Sequence, residues 1–400
     1  MTIKKSFEEW GRSPGDGGLF GERETERKMN IILNNSILSV DMKRVRRNVA
    51  TVLEELQGAQ LIPVLKDNAY GLGLEAMGHV MEEFPQITTL AVAQVGEGAA
   101  LRQAGITREI LILGGVPAHL LRAAVELDLT LSGGRLELLP VLALLGQSAG
   151  RRVKIQIKIE TGLNRTGVMP GAELAHLLEE WRSTRNHFQI MGAFSHFADL
   201  EDTERTQQQY ELFLEGVEQL QAGGMEIPLR HISASAAHEQ FPQYRLDGVR
   251  IGRRLYMDHP TQPTGRVSET ATWRTWITGL RTLQAGSPLG YGGKVFLERD
   301  STVATIAVGY GDGLSEELVR VHGPVLVGGE RGRLMACCMD QTLVDVTGIP
   351  CRVGDPVTLF GWDEQGNLLA SQEVALLVGE DEGCGLTAQL SPRVARIYSK

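Results

Sequence analysis

The chain has only four cysteines in 400 residues: Cys337, Cys338, Cys351 and Cys384, all in the last fifth and none in a CxxC pair. That spacing suits neither a disulfide framework nor a zinc knuckle, and it fits reduced thiols in a cytoplasmic protein. No apolar run reaches the ~18 residues that a membrane span needs. The first thirty residues lack the apolar stretch of a signal peptide and are dotted with glycine and charge, so a flexible extension is expected over 1–30. Basic residues do not dominate. Against 49 Asp and Glu stand 40 Lys and Arg, and the formal charge of −9 disfavours nucleic acid or an anionic membrane as a partner. Also missing is a GxGxxG motif after the first strand-like run, which argues against a dinucleotide-binding open sheet.

What is present, between residues 61 and 256, is a series of eight short apolar runs with helix-like stretches between them. The runs are LIPVLK (61–66), TLAVAQ (89–94), EILILGG (109–115), LTLSGG (129–134), VKIQIKIETG (153–162), IMGAFSHF (190–197), LRHISAS (229–235) and GVRIGRRLY (248–256). In ERTQQQYELFLEGVEQLQAGG, apolar residues recur at steps of three and four, as on one face of a helix. Eight strands alternating with helices predict an α/β chain with an N-terminal (β/α)8 TIM-type barrel, set at residues 36–268. A doubly wound open sheet is the alternative. After about 270 the texture changes to short β-rich pieces between Gly, Asp and Pro turns, which predicts a C-terminal all-β domain over 269–400. TQPTGRVSET (261–270) is the expected linker.

In such a barrel the chemistry sits at the C-terminal ends of the strands. Lys66 ends the first run. Lys158 lies in the fifth, Glu160 ends it, and Arg165 is in the turn beyond. His196 ends the sixth, His231 and Ser235 lie in the seventh, and Arg250 is in the eighth. Taken singly, each of these is more often a solvated end or a structural side chain. Taken together they predict a cationic mouth suited to a phosphate or carboxylate. Lys158, between Ile157 and Ile159, needs a partner or a modification, because burying a free ammonium costs several kcal/mol.

These residues lie in motifs that resemble the alanine racemase family, the fold-type III enzymes that use pyridoxal 5'-phosphate (PLP). VLKDNAYGLG (64–73) is similar to the family's PLP-lysine signature. KIETGLNRTG (158–167), SHFADLED (195–202), PLGYGG (288–293) and GYGDG with CCMDQ (309–313, 337–341) follow in the family's order, over roughly residues 36–398. The resemblance implies a racemase that interconverts L- and D-alanine and supplies D-alanine for peptidoglycan. A serine or broad-specificity racemase of the same fold is the alternative.

The resemblance also implies roles. Lys66 is the lysine that carries PLP and serves as one base, and Tyr291 is the opposing base. His196 hydrogen-bonds that tyrosine. Arg250 faces the pyridine nitrogen, supported by His231, and Arg165 lies near the cofactor hydroxyl and the substrate carboxylate. Tyr70, Ser235 and Gly252 belong to the phosphate site. Tyr310, Met339 and Asp340 belong to the substrate site. Lys158 corresponds to a lysine that is often carbamylated. Tyr291 and Met339 are implied to serve the site of the other subunit in a homodimer, and no metal is implied.

Four positions depart from the family pattern. Ala234 stands before Ser235 where a polar residue is usual. Arg253 follows Gly252 where isoleucine is usual, and is read as solvated rather than as a new phosphate contact. Glu160 replaces an aspartate. Pro392 replaces a tyrosine that some members carry.

Overall fold

The computed structural model describes residues 33–134, 138–259, 263–379 and 385–399. The extension expected over 1–30 and Cys384 lie outside the described residues. Strand β1 (Ser36–Asp41) is followed by eight parallel strands: β2 (Gln60–Pro63), β3 (Thr89–Val92), β4 (Glu109–Ile112), β5 (Thr130–Gly133), β6 (Val153–Lys158), β7 (Phe188–Phe194), β8 (Arg230–His231) and β9 (Gly248–Ile251). Each overlaps one of the eight apolar runs. Strands β3 to β8 form one parallel sheet and β2 pairs with β9. Parallel bridges Val64–Ala91 and Ala234–Arg250 join the two sets into a ring.

Alternation along the strands decides what fills the barrel. Val153, Ile155 and Ile157 of β6 join the large core under the helices. The intervening residues of the same strand are Lys154, Gln156 and Lys158. Ile62, Val64, Ala91 and Leu111 form a separate apolar cluster. Ile62 is in register with Arg250 of β9, while Val249 and Ile251 on either side of Arg250 join the outer core. The barrel interior is therefore apolar around β2–β4 and polar around β6–β9.

Beyond residue 270 come β10 (Ala271–Leu283), β11 (Pro288–Leu289), β12 (Val295–Phe296), β13 (Ser301–Ile306), β14 (Pro324–Val327), β15 (Glu330–Cys337), β16 (Thr342–Asp345), β17 (Pro356–Trp362), β18 (Leu368–Leu369) and β19 (Ala395–Ser399). The β10–β17 pairing closes β10, β13, β16, β15, β14 and β17 into a ring. Short helices at Glu316–Arg320, Ser371–Leu377 and Gly385–Ala388 interrupt the expected all-β texture.

The structure alters the expected partition at one place. Residues 36–41 fall within the range expected for the barrel, but β1 pairs antiparallel with β10 and parallel with β19 in the second domain. Its partners lie more than 200 residues away, and no local pattern reports such a pairing.

The described part of the linker, from residue 263, is held by hydrogen bonds and borders a buried ion cluster. Arg254, almost fully buried, meets Glu55 at 2.8 Å, Glu239 at 2.9 Å and Asp258 at 3.3 Å. Asp258 accepts from the Gly265 N–H at 2.6 Å. Three carboxylates around one guanidinium offset a desolvation cost that a lone buried arginine would not recover.

Candidate active site

Lys66 opens a turn of unusual backbone. Asp67, Asn68, Ala69 and Tyr70 have φ of 53°, 57°, 52° and 56°. Each non-glycine residue in this left-handed region costs about 1–2 kcal/mol, so four in succession need strong support. Local bonds supply part of it: Ala69 N–H to Leu65 O at 2.9 Å, Gly71 N–H to Asp67 O at 2.8 Å, and Leu74 N–H to the Asn68 side chain at 2.8 Å. A Cβ on Gly71 would overlap the Thr387 carbonyl, so the C-terminal segment packs directly on the turn. The half-buried Lys66 ammonium lies 5.9 Å from the Tyr70 ring centroid.

Across the barrel, Arg250 is buried and bound from both terminal nitrogens. Nη1 donates to His231 Nδ1 at 2.7 Å, and Nη2 donates to His196 Nδ1 at 2.9 Å and to the carbonyls of Ser195 and Ile232. A guanidinium only donates, so both imidazoles accept at Nδ1 and carry their proton on Nε2. His231 Nε2–H then donates to Gln156 Oε1 at 2.7 Å. Burial and the Arg250 charge hold His231 well below its ordinary range. His196 is pushed down to about 3 by burial and by Arg250, Arg165, Lys158 and Lys66. The cations expected at the mouth therefore do gather there, and both histidines are neutral. Arg250 itself is drawn down to about 9 by burial and Arg165, and stays a cation near neutral pH. Its Nε–H forms no hydrogen bond among the described residues.

Lys158 is buried and donates to Thr166 Oγ1 at 2.6 Å. Burial, then Arg165 and Arg250, pull its pKa to about 8 against the opposing charge of Glu160. Glu160 accepts from the backbone N–H groups of Gly162, Asn164 and Arg165 at 2.7, 2.9 and 3.2 Å. Burial pushes that carboxyl up, but these bonds outweigh it and hold it below the usual range. Its extra methylene still reaches the turn that carries Arg165. Gly252 N–H points to Ser235 Oγ at 3.4 Å, and a Cβ on Gly252 would overlap the Tyr70 hydroxyl. Ala234 precedes the helix Ser235–Gln240 without a side-chain cap.

Arg253 is not solvated. It is buried, donates to Asp258 O at 2.7 Å and lies 3.9 Å from Glu239. The turn after β9 carries it into the acidic packing around the linker, which compensates its charge.

Tyr291, Tyr310 and Met339 sit on the β domain and are 86%, 43% and 57% exposed, and Asp340 is exposed beside them. Tyr310 and Gly311 bond back to Cys338 and Met339, and Gly290 packs on Ala336. Among the described residues, none of these side chains hydrogen-bonds to the barrel mouth.

Three neighbours escaped the sequence reading. Gln156 was signalled by its place between Lys154 and Lys158 in VKIQIK. Phe194 stacks on His231 with ring centroids 5.2 Å apart and underlies Lys158 and Arg250. Glu97 shows locally only as an acidic residue at a helix start, and nothing local reports its reach to the Lys66 turn.

The chain matches the family models "Alanine racemase, N-terminal domain" over residues 40–260 and "Alanine racemase, C-terminal domain" over 270–398. It belongs to the alanine racemase family. It is 33% identical to alanine racemase 2 of Caldanaerobacter subterraneus over 85% of this chain and 88% of that one. The alanine racemase of Clostridium tetani is 30% identical over 90% and 94%. Among solved structures, the alanine racemase of Streptomyces lavendulae superposes with a TM-score of 0.86 at 27% identity, covering 92% of this chain and 97% of that one. Lys66, Arg250 and the polar relay fall in the segment that matches the family's N-terminal model. Tyr291, Tyr310 and Met339 fall in the segment that matches its C-terminal model.

Proposed function

We propose that the chain interconverts L- and D-alanine with PLP bound at the barrel mouth, using Lys66 and Tyr291 as bases on opposite faces of the substrate. The observation that carries this reading is the pairing of a strand-end lysine on a constrained turn with a buried arginine whose Nε–H has no partner among the described residues. The donor set fits the cofactor: a ring nitrogen would take the Arg250 Nε–H, and a phosphate would take Tyr70, Ser235 and the Gly252 backbone. When bound, PLP supplies the electron sink that makes the substrate α-proton removable.

The remaining work falls to the protein. Lys66 would hold the cofactor covalently and would move the proton at Nζ on one face. Arg250 donates and cannot accept, so a ring nitrogen facing it stays an acceptor, which limits side reactions. Inversion requires a second base on the other face. Tyr291 is exposed and, among the described residues, has no bond to the mouth of its own chain, which supports a homodimer in which the partner subunit's Tyr291 serves each barrel. His196, neutral with its proton on Nε2, would donate to that phenolic oxygen.

Arg165, Tyr310 and Met339 would bind the substrate carboxylate, with Asp340 at the edge. Lys158 at about 8 offers a fraction of neutral amine near physiological pH. Reaction with carbon dioxide would release a proton and place an anion beside Arg165 and Arg250. The D-alanine produced would serve peptidoglycan synthesis in the cytoplasm. No helix among the described residues is long and apolar enough to cross a membrane.

Incubating the protein and PLP with L-alanine or L-serine in D2O tests the reading. D-Alanine carrying deuterium at Cα is expected, formed faster than D-serine. Absence of both exchange and inversion with alanine would falsify it.

A further inference from the structure

We propose that Glu97 is a positioning residue for Lys66, locking the left-handed turn from which that lysine projects. The proposal rests on Lys66 being the cofactor lysine. Glu97 lies in the first turn of the helix Val95–Gln103, which follows β3, and is 8% exposed. Its two oxygens have different tasks. Oε2 accepts from the N–H groups of Ala93 and Gln94 at 2.8 and 3.2 Å, the ordinary work of an acidic residue at a helix start. Oε1 reaches out of the helix and accepts from the Asp67 N–H at 2.5 Å. Asp67 directly follows Lys66 and is the first of the four left-handed residues.

The geometry separates this role from simple capping. A helix cap needs one acceptor, and Glu97 spends its second on a peptide group 30 positions earlier in the chain. Leu65 on the other side of Lys66 is anchored too, its N–H bonding to Ala91 O at 2.8 Å. The Lys66–Asp67 peptide is thus fixed to the helix that follows β3, and the Val64–Leu65 peptide, one residue before Lys66, to β3 itself. Neither Asp67 nor Asn68 is buried, so side-chain packing does not hold the start of the turn. Hydrogen bonding does, and Glu97 provides the bond at its first amide. A reacting nitrogen displaced by about 1 Å can cost 10²-fold in rate, which makes the origin of the Lys66 side chain worth fixing.

Glutamine at 97 is the discriminating change. It has nearly the shape of glutamate but only one acceptor oxygen, and its amide nitrogen would confront a backbone N–H. The test uses the full-length protein, both stripped of PLP and loaded with it. In the PLP-free protein, Glu97→Gln is expected to speed amide hydrogen exchange across 67–70 at least about tenfold, with strands β13 to β17 unchanged. In the loaded enzyme, kcat should fall about tenfold or more while KM for alanine stays within about threefold.

A second variant covers general misfolding. Asp67→Gly removes the steric penalty of positive φ, so Glu97→Gln/Asp67→Gly should recover at least about threefold of the lost kcat. Unchanged exchange at 67–70 in the single variant overturns the proposal. So does a double variant no better than Glu97→Gln, because it would place the loss at Ala93 and Gln94. If Lys66→Ala still racemises alanine, the functional reading fails while the exchange result stands on its own.

Discussion

The barrel mouth and the rim of the β domain each hold side chains that the proposed reaction needs, in opposite states. At the mouth, Arg250, His231 and Lys158 are buried, hydrogen-bonded and shifted down in pKa first by burial and then by neighbouring arginines. At the rim, Tyr291 is 86% exposed with only short loop structure around it. A barrel can build a buried polar relay from its own strands because alternation sends every second residue inward. A group that must approach the substrate from the opposite face has to come from elsewhere. The contrast is what the proposed homodimer would account for, with one half of the site finished within a chain and the other supplied on assembly.

The largest expected effect breaks the mouth. Lys66→Ala removes the covalent anchor and a base together, and D-alanine formation should drop by at least about 10³-fold. Retained turnover would move the chemistry away from the barrel.

The next experiment sharpens the contrast between mouth and rim. Tyr291→Phe alone should lower racemisation by about 10² to 10⁴-fold. Subunits of Lys66→Ala and Tyr291→Phe, each nearly inactive, can then be mixed and allowed to exchange. If each site draws on both chains, half the dimers are mixed and each has one intact site, giving about a quarter of wild-type activity. No recovery would place Tyr291 and Lys66 in the same chain's site.

A smaller effect concerns the Gly252 cradle. Gly252→Ala forces the Tyr70 hydroxyl to move, and PLP affinity should weaken about tenfold, near 1.4 kcal/mol. Fluorescence titration with the cofactor measures it, and an unaltered Kd would remove Tyr70 from the phosphate site.

The mildest prediction concerns stability. His231 and His238 are buried, and burial followed by nearby arginines depresses their folded-state pKa, His238 to about 4. Below the unfolded value of about 6.5 the unfolded chain takes up protons that the folded chain refuses. The histidine contribution to stability should therefore be flat above that pH and fall below it, by up to roughly 1.4 kcal/mol per pH unit per histidine. Urea unfolding at pH 7.5 and 5.5 gives the slope, and His231→Gln should reduce it.

The eight-strand order was legible because parallel strands covered on both faces leave near-continuous apolar runs. Lys66, Lys158 and Arg250 were legible because charge inside or at the end of such a run is costly and therefore conspicuous. Arg253 misled for the same reason in reverse. It follows a strand end, where solvation is the usual fate, yet the turn after β9 buries it among carboxylates that lie far apart in the chain.

By itself, the sequence determined the alternation of strand and helix, the change of texture near residue 270 and the residue types available at the mouth. All of these follow from periodicity and composition over a few residues. Only the tertiary structure decided that β1 belongs to the second domain, that Gln156 and Arg250 fix the proton positions of two histidines, and that Glu97 reaches Asp67. These are strand pairings and hydrogen bonds between distant segments. Their partners are chosen by how the chain closes on itself, and no local pattern encodes that choice.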